Sequence, residues 1–262
     1  MMAFRRNILQ RLRHAVARNL FRPKLGDIYA KASQSYRRRY HRHDVSFYEL
    51  AFVTLGDKTF RILNISYGGL RVRGDNLEAL APLLKSGQVV QASMAIMGSS
   101  YKMPVRVVAL DKGMAGLSFE RVHSLDEQFL TRFLYFMDAG IMLKALPKGS
   151  VGDIYQNPAW HSYGGLKGAI EVHLHIDGQS EVVEAHVFYL NGLRQDFAVF
   201  TSRGITVSCM PKRELKSRDK REILVHVLCI MLGLRQVGRT DRLDPLIQGG
   251  LTKLFRPSNK TG

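Results

Sequence analysis

The sequence predicts a mainly β fold with added helices: a six-stranded antiparallel β-barrel plus helix, followed by a smaller α+β domain and preceded by a basic N-terminal helix. Three observations predict it. From Asp44 the apolar pattern changes from helical spacing to short runs rich in β-branched and aromatic residues. Turn-forming Gly, Asp and Asn residues separate these runs. No long helix lies between consecutive runs of the barrel, which favours antiparallel strands.

Residues 1–35 are predicted to be a basic amphipathic helix and a linker. On a helical wheel, apolar side chains between Phe4 and Leu20 fall within one arc, and most of the arginines lie opposite. Pro23 predicts the end of the helix, because proline disfavours helix at the residue before it. Such a helix packs on its own protein, lies on a membrane surface or docks on a partner, and the sequence leaves these alternatives open.

Residues 36–148 are predicted to form the barrel domain. A segment with mixed composition, Asp75–Lys85, predicts no more than a loop or one helical turn. Ser124 as N-cap, with Glu127 three positions later, predicts a closing helix that continues to about Leu146. The predicted strands are Val45–Leu55, Lys58–Ile65, Gly69–Arg73, Gln88–Met97, Tyr101–Leu110 and Ala115–Val122.

Residues 149–168 have loop composition and predict a linker that contains Pro158 and the single tryptophan, Trp160. Residues 169–262 predict an α+β output or interaction domain with a basic C-terminal tail. A helix from about Arg213 to Leu234 is expected to cover its sheet. The predicted strands are Ala169–Ile176, Glu181–Leu190, Asp196–Phe200 and Gly204–Met210.

Positive charge is concentrated at the two ends of the chain. Of 39 Lys/Arg and 22 Asp/Glu, residues 1–43 hold 12 and one, a net charge of +11, and residues 211–262 hold 12 and five, a net charge of +7. The body between them has a net charge of −1. Basic ends on a neutral body indicate contact with an anion: a nucleotide, a nucleic acid, an acidic protein or lipid headgroups.

The composition predicts a cytoplasmic protein. The chain has two cysteines, Cys209 and Cys229, and neither has a partner at metal-ligand spacing. The basic N-terminus lacks the continuous apolar segment of a secretory signal, and no apolar run has the roughly 18 residues of a membrane-spanning helix. Any membrane contact is therefore expected to be peripheral, through the N-terminal helix.

Two short motifs stand near the start of the first predicted sheet. Arg38 and Arg42 have RxxxR spacing just before the first strand, and Asn64-Ile-Ser66-Tyr-Gly-Gly69 has NxSxxG spacing at the end of the second. With this order, this separation and the barrel-like strands that follow, the sequence from Tyr36 to about Leu146 resembles the PilZ family of cyclic di-GMP receptors.

The chemistry of these residues suits that ligand. Cyclic di-GMP has two phosphates and two guanines, and each guanine has an N7/O6 acceptor edge. An arginine donates two hydrogen bonds to such an edge, contacts phosphate or stacks on the ring, as Arg38 and Arg42 would. Asn64 offers an amide and Ser66 a hydroxyl, and Gly69 offers close backbone approach or positive φ.

The resemblance implies a receptor rather than an enzyme, with no catalytic residues, no metal and no cofactor besides the ligand. Occupancy would be transmitted to a macromolecular partner, most simply a protein, and would regulate motility, biofilm formation or exopolysaccharide in a bacterium. Arg37 matches a position that helps decide whether one nucleotide or a stacked pair is bound. The ligand-binding residues that the resemblance implies are Arg37, Arg38, Arg42, Asn64, Ser66, Gly68 and Gly69.

Other functions have weaker support. The basic ends allow a ligand-responsive nucleic-acid-binding regulator, and a nucleotide-independent adaptor would use the barrel only as a scaffold. His173 and His175 alternate on one strand, but a two-residue turn at Asp177-Gly178 would pair them with Val182 and Ser180 rather than His186, which argues against a metal site. A homo-oligomer is neither indicated nor excluded.

Overall fold

The computed structural model contains two antiparallel sheets. It describes residues 41–46, 51–120, 125–237 and 241–255. The predicted N-terminal helix lies outside the described residues. The chain divides into two units. The described residues of the barrel unit are 41–46, 51–120, 125–142, 224–237 and 241–255. Those of the second unit are 143–223.

The barrel unit contains a closed six-stranded antiparallel barrel. The strands follow the order β3-β2-β5-β6-β7-β4, and β4 pairs back with β3. A two-residue strand, β1, pairs with β3 outside this ring. The predicted six-stranded antiparallel barrel is therefore confirmed. The strands are β1 His43–Asp44, β2 Ala51–Leu55, β3 Lys58–Ser66, β4 Gly69–Arg73, β5 Val89–Ile96, β6 Ser99–Asp111 and β7 Met114–Phe119.

A β-bulge in β3 decides which side chains face outward at the end of that strand. Phe60 and Ile62 are buried, but the register with β4 shifts between Ile62 and Asn64, so Ile65 is the next fully buried residue. The bulge inserts one residue into the alternation and exchanges the two faces of the strand beyond it. Asn64 and Ser66 consequently belong to the outer face of the barrel.

The helices of the barrel unit differ from prediction in extent. The segment predicted as a loop or one turn holds a 3-10 turn, Leu77–Leu80, and helix α1, Ala81–Ser86. Pro82 lies in the first turn of α1, where its missing N–H has no helical partner to lose. The closing helix α2 spans Leu125–Ile141 and ends before the predicted Leu146, since Lys144–Ala145 form strand β8. Helices α3, Ser217–Gln236, and α4, Asp244–Phe255, follow later in the chain.

Helices α2 and α3 touch backbone to backbone at two glycines. A Cβ added to Gly140 would lie 2.1 Å from the carbonyl oxygen of Ile230, and one added to Gly233 would lie 2.0 Å from that of Met137. Residues 224–255 therefore belong to the barrel unit, whereas the sequence assigned them to the output domain. Helical periodicity indicates that a helix buries a face, but not which element covers it.

The second unit is built on a six-stranded sheet in the order β13-β12-β11-β10-β9-β8, in which every pair is antiparallel. Strand β9 lies within residues 149–168, for which the sequence predicted a linker. The buried face of this six-stranded sheet includes Val172, Leu174, Val187 and Phe200. The remaining strands are β9 Trp160–Gly165, β10 Ile170–Ile176, β11 Val182–Asn191, β12 Arg194–Thr201 and β13 Gly204–Met210.

In the part of the chain that the structure describes, none of the helices has the length and apolar character needed to cross a bilayer.

Candidate functional site on the outer face of the barrel

The NxSxxG motif forms the end of β3, a tight turn and the start of β4. Ser66 pairs with Gly69 across the turn, and only Tyr67 and Gly68 lie between them. The Ser66 hydroxyl donates a hydrogen bond to the Gly69 carbonyl oxygen (3.2 Å) and accepts one from the Gly68 N–H (3.4 Å). Ser66 is 8% exposed. Its hydroxyl therefore holds the turn in one conformation before any ligand arrives.

Gly69 is needed by the barrel itself. A Cβ at this position would lie 2.1 Å from the carbonyl oxygen of Leu117 and 3.0 Å from the Cα of Ser118, both in β7. Its φ of 156° also lies in a region that other residues rarely adopt. The closure of β4 on β7 accounts for glycine here without a ligand, and a direct ligand contact by Gly69 stays a prediction.

The outer face beside the motif consists of residues that pair across neighbouring strands. Asn64 pairs with Arg71 on β4, which in turn pairs with Gly116 on β7. In the neighbouring row, Gly69 lies between Ser66 and Ser118. Paired residues on one face have Cβ atoms about 4.5–5.5 Å apart, so these small and polar residues form one shallow surface.

Strand β1 places Arg42, the second arginine of the RxxxR motif, next to this surface. His43 pairs with Ile65 and Asp44 pairs with Asn64. The same register, continued by one residue, sets Arg42 opposite Ser66, and Arg42 is exposed. Arg42 and the motif that begins at Asn64 are about 20 residues apart in sequence, and this pairing makes them neighbours. Arg37 and Arg38 lie outside the described residues.

Strand β1 is also held by two helices of the barrel unit. His43 is fully buried, and its Nε2 lies 3.0 Å from Oδ1 of Asp138 in α2. The side-chain amide of Gln236, the last residue of α3, donates a hydrogen bond to the Asp44 carbonyl oxygen (3.4 Å). The segment that follows Arg42 therefore touches both the candidate site and the ends of α2 and α3.

Arg71 is the residue of this surface that sequence reasoning missed. Leu70 and Val72 on either side of it are buried, so alternation along β4 directs Arg71 to the outer face. The signal was present in the Leu-Arg-Val-Arg pattern that follows the motif. Its relation to Asn64 became visible only with the strand register, because the bulge in β3 changes which residues share a face.

A second cluster of polar and aromatic side chains lies in the second unit. His173 pairs directly with His186, so the predicted pairing of His173 and His175 with Val182 and Ser180 is wrong. The connection between β10 and β11 is longer than two residues, and a register shift between His175 and Ile176 adds to the difference. Sequence alone indicated neither.

This cluster is a hydrogen-bonded stack. The Tyr155 ring lies flat on His173, with centroids 3.6 Å apart, and its hydroxyl is 2.7 Å from Nδ1 of His186. Nε2 of His186 is 2.7 Å from a carboxylate oxygen of Glu184. Burial, together with the charges of Glu171 and Glu184, raises the pKa of Tyr155, so its phenol stays neutral. Among the described residues, no group of His, Cys, Asp and Glu side chains is arranged to hold a metal ion.

The geometry defines a small antiparallel β-barrel domain whose outer face brings a turn motif and an arginine together. Residues 36–136 match the family model of the PilZ domain. This match confirms the predicted resemblance to the PilZ family over that part of the chain.

Two solved structures resemble parts of the chain. The crystal structure of the Legionella uncharacterized protein Lpg0364 has 16% sequence identity and a TM-score of 0.29, and the match covers 37% of this chain and 91% of that chain. The crystal structure of the Borreliella burgdorferi PlzA protein in complex with c-di-GMP has 12% identity and a TM-score of 0.28, and the match covers 77% of this chain and 98% of that chain. No curated protein matches the chain.

Proposed function

We propose that the barrel unit is a receptor for cyclic di-GMP that binds the nucleotide on the outer face of β3 and β4. The observation that supports this most is the pairing of β1 with β3, which makes Arg42 a neighbour of Asn64 and Ser66. The match of residues 36–136 to the PilZ domain supports the same ligand. Neither motif alone would distinguish a nucleotide site from a basic linker and a polar turn.

In this proposal the two motifs act on different parts of the nucleotide. Arg38 and Arg42 donate paired hydrogen bonds to a guanine edge or a phosphate, which a lysine at either position would do poorly. Asn64 recognises a guanine edge through its amide. Ser66, Gly68 and Gly69 supply the rigid turn, and Arg37 is a further contact whose presence bears on whether one or two nucleotides bind.

Output follows from contact between the nucleotide and the basic segment 36–43. The bound nucleotide holds this segment against the barrel, and β1 transmits the occupancy of the site to α2 and α3 through His43 and Asp44. We propose that a macromolecular partner in the cytoplasm reads this change. The processes that the family resemblance implies are motility, biofilm formation and exopolysaccharide production.

Equilibrium dialysis against radiolabelled cyclic di-GMP tests the site. Each good bidentate contact contributes about 1–3 kcal/mol, so Arg42→Ala should weaken binding roughly tenfold to a hundredfold. Asn64→Ala should weaken it by a similar factor. The matched control is Lys58→Ala, which removes one exposed cation at the opposite end of β3, about 20 Å from Asn64.

Full affinity in both Arg42→Ala and Asn64→Ala would contradict the proposed site. Equal losses in the Lys58→Ala control would also contradict it, because they would indicate a general electrostatic effect rather than a specific contact.

The proposed partner is tested separately. A pull-down from lysate with and without the nucleotide would identify a partner that responds to the bound nucleotide.

A further inference from the structure

Arg71 is a cationic residue next to Asn64, one of the residues proposed to bind the nucleotide. It pairs with Asn64 on one side and with Gly116 on the other, on the outer face of the barrel. Gly116 has no side chain, so β7 contributes nothing that would cover the guanidinium at that pair. The Arg71 side chain is long enough to reach a ligand that lies across Asn64 and Ser66.

Among the residues that the structure describes, the guanidinium of Arg71 has no hydrogen bond or ion pair. Asp44, which pairs with the other side of Asn64, accepts hydrogen bonds from the Ser46 N–H (2.8 Å) and hydroxyl (2.6 Å). By contrast, Arg106 on β6 is paired with Glu120 at 2.9 Å. Arg71 therefore differs from a structural arginine of the same barrel.

We infer that Arg71 binds a phosphate of cyclic di-GMP from the β4 side of the site, opposite Arg42. A doubly anionic ligand that contacts Asn64 and Ser66 lies beside this cation. A guanidinium also makes stronger, charge-assisted hydrogen bonds to phosphate than to a neutral acceptor. This inference rests on the proposed function and adds a ligand contact that the two sequence motifs do not contain.

Titration of the full chain with cyclic di-GMP tests this inference in three variants. Arg71→Gln should raise the Kd at least tenfold, because it removes the charge and the paired donors. Arg71→Lys should raise it less than fivefold, since an ammonium still binds phosphate as a point charge. The matched control, Arg73→Gln, removes an exposed arginine two residues further along the same face and should change the Kd less than twofold.

The outcomes separate the two proposals. If the wild-type chain does not bind cyclic di-GMP, the proposed function fails. If the wild-type chain binds and Arg71→Gln stays within twofold of it, only the role of Arg71 fails. Equal losses in Arg71→Gln and Arg73→Gln would overturn a specific contact, and equal losses in Arg71→Lys and Arg71→Gln would overturn the assignment to phosphate. Circular dichroism melts of each variant should match the wild type, because both arginines face outward.

Discussion

Replacement of Gly69 by alanine distinguishes a glycine kept for the ligand from one kept for the barrel. The added Cβ would lie 2.1 Å from the Leu117 carbonyl oxygen, whereas ordinary contact begins at 3.4 Å. Strands β4 and β7 would have to separate by about 1 Å, at the point where Gly69 pairs with Ser118. Overpacking of this kind costs about 1–3 kcal/mol, and the unusual backbone angle adds about 1–2 kcal/mol.

The expected loss is therefore about 2–5 kcal/mol, a large part of the 5–15 kcal/mol that typically stabilises a domain. Gly113→Ala is the matched control, since Gly113 has a φ of 76° but no atom within 4 Å of an added Cβ. That variant should lose only the cost of the left-handed backbone, about 1–2 kcal/mol. The difference between the two variants measures the clash.

Native-state hydrogen exchange at amides of β4 and β7, without nucleotide, is the suitable assay. The single tryptophan, Trp160, lies in the second unit, so its fluorescence does not report directly on the barrel. If Gly69→Ala keeps wild-type exchange protection and yet loses nucleotide binding, the glycine serves the approach of the ligand. The explanation from barrel closure would then be wrong.

Three further predictions concern the rest of the fold. Burial and the nearby Arg132 lower the pKa of His226 to about 3 from 6.5. The unfolded chain then binds a proton that the folded chain does not, so the free energy of unfolding falls as the pH drops from about 6.5 towards 3, by at most about 5 kcal/mol. In urea titrations, the free energy of unfolding of His226→Gln should depend less on pH than that of the wild type. Gly233→Ala should destabilise α3 by several kcal/mol in thermal melts, whereas Gly249→Ala, in open space on α4, should stabilise by up to about 1 kcal/mol. Tyr155→Phe should cost about 1–3 kcal/mol in urea unfolding followed by Trp160 fluorescence, because a buried hydrogen bond is lost while the ring stack remains.

Each of these predictions has an opposing result. If the stability of wild type and His226→Gln depended on pH in the same way, this histidine would bind protons equally in the folded and unfolded chain. A Gly233→Ala variant as stable as Gly249→Ala would refute the close contact of α2 and α3. A Tyr155→Phe variant with wild-type stability would show that the bond to His186 contributes nothing net.

The barrel was predictable because its signals are local. Alternating side chains and turn residues indicated strands such as Gly69–Arg73, whose bounds the structure reproduces. The bulges were not predictable, since an extra residue such as Leu63 leaves no distinct mark in the pattern. Strand β9 was missed for a related reason, because its glycines, Gly164 and Gly165, read as loop. The structure instead packs them closely against Leu146 and Leu143.

Long-range relations were the main failure of sequence reasoning. Residues 226–234 of α3 are buried without interruption, so their pattern did not indicate which element they cover. The pairing of His173 with His186 depended on a loop length that the Asp177-Gly178 signal misrepresented. The candidate site was found from its two motifs, but Arg71 required the register between β3 and β4, which the sequence does not contain.

Isothermal titration calorimetry of the purified full chain with cyclic di-GMP tests the central claim most directly. We predict a saturable exothermic reaction with one or two nucleotides per chain, and no comparable heat with GMP at the same concentration. Absence of saturable binding by the wild-type chain would contradict the proposal that the outer face of this barrel is a nucleotide receptor.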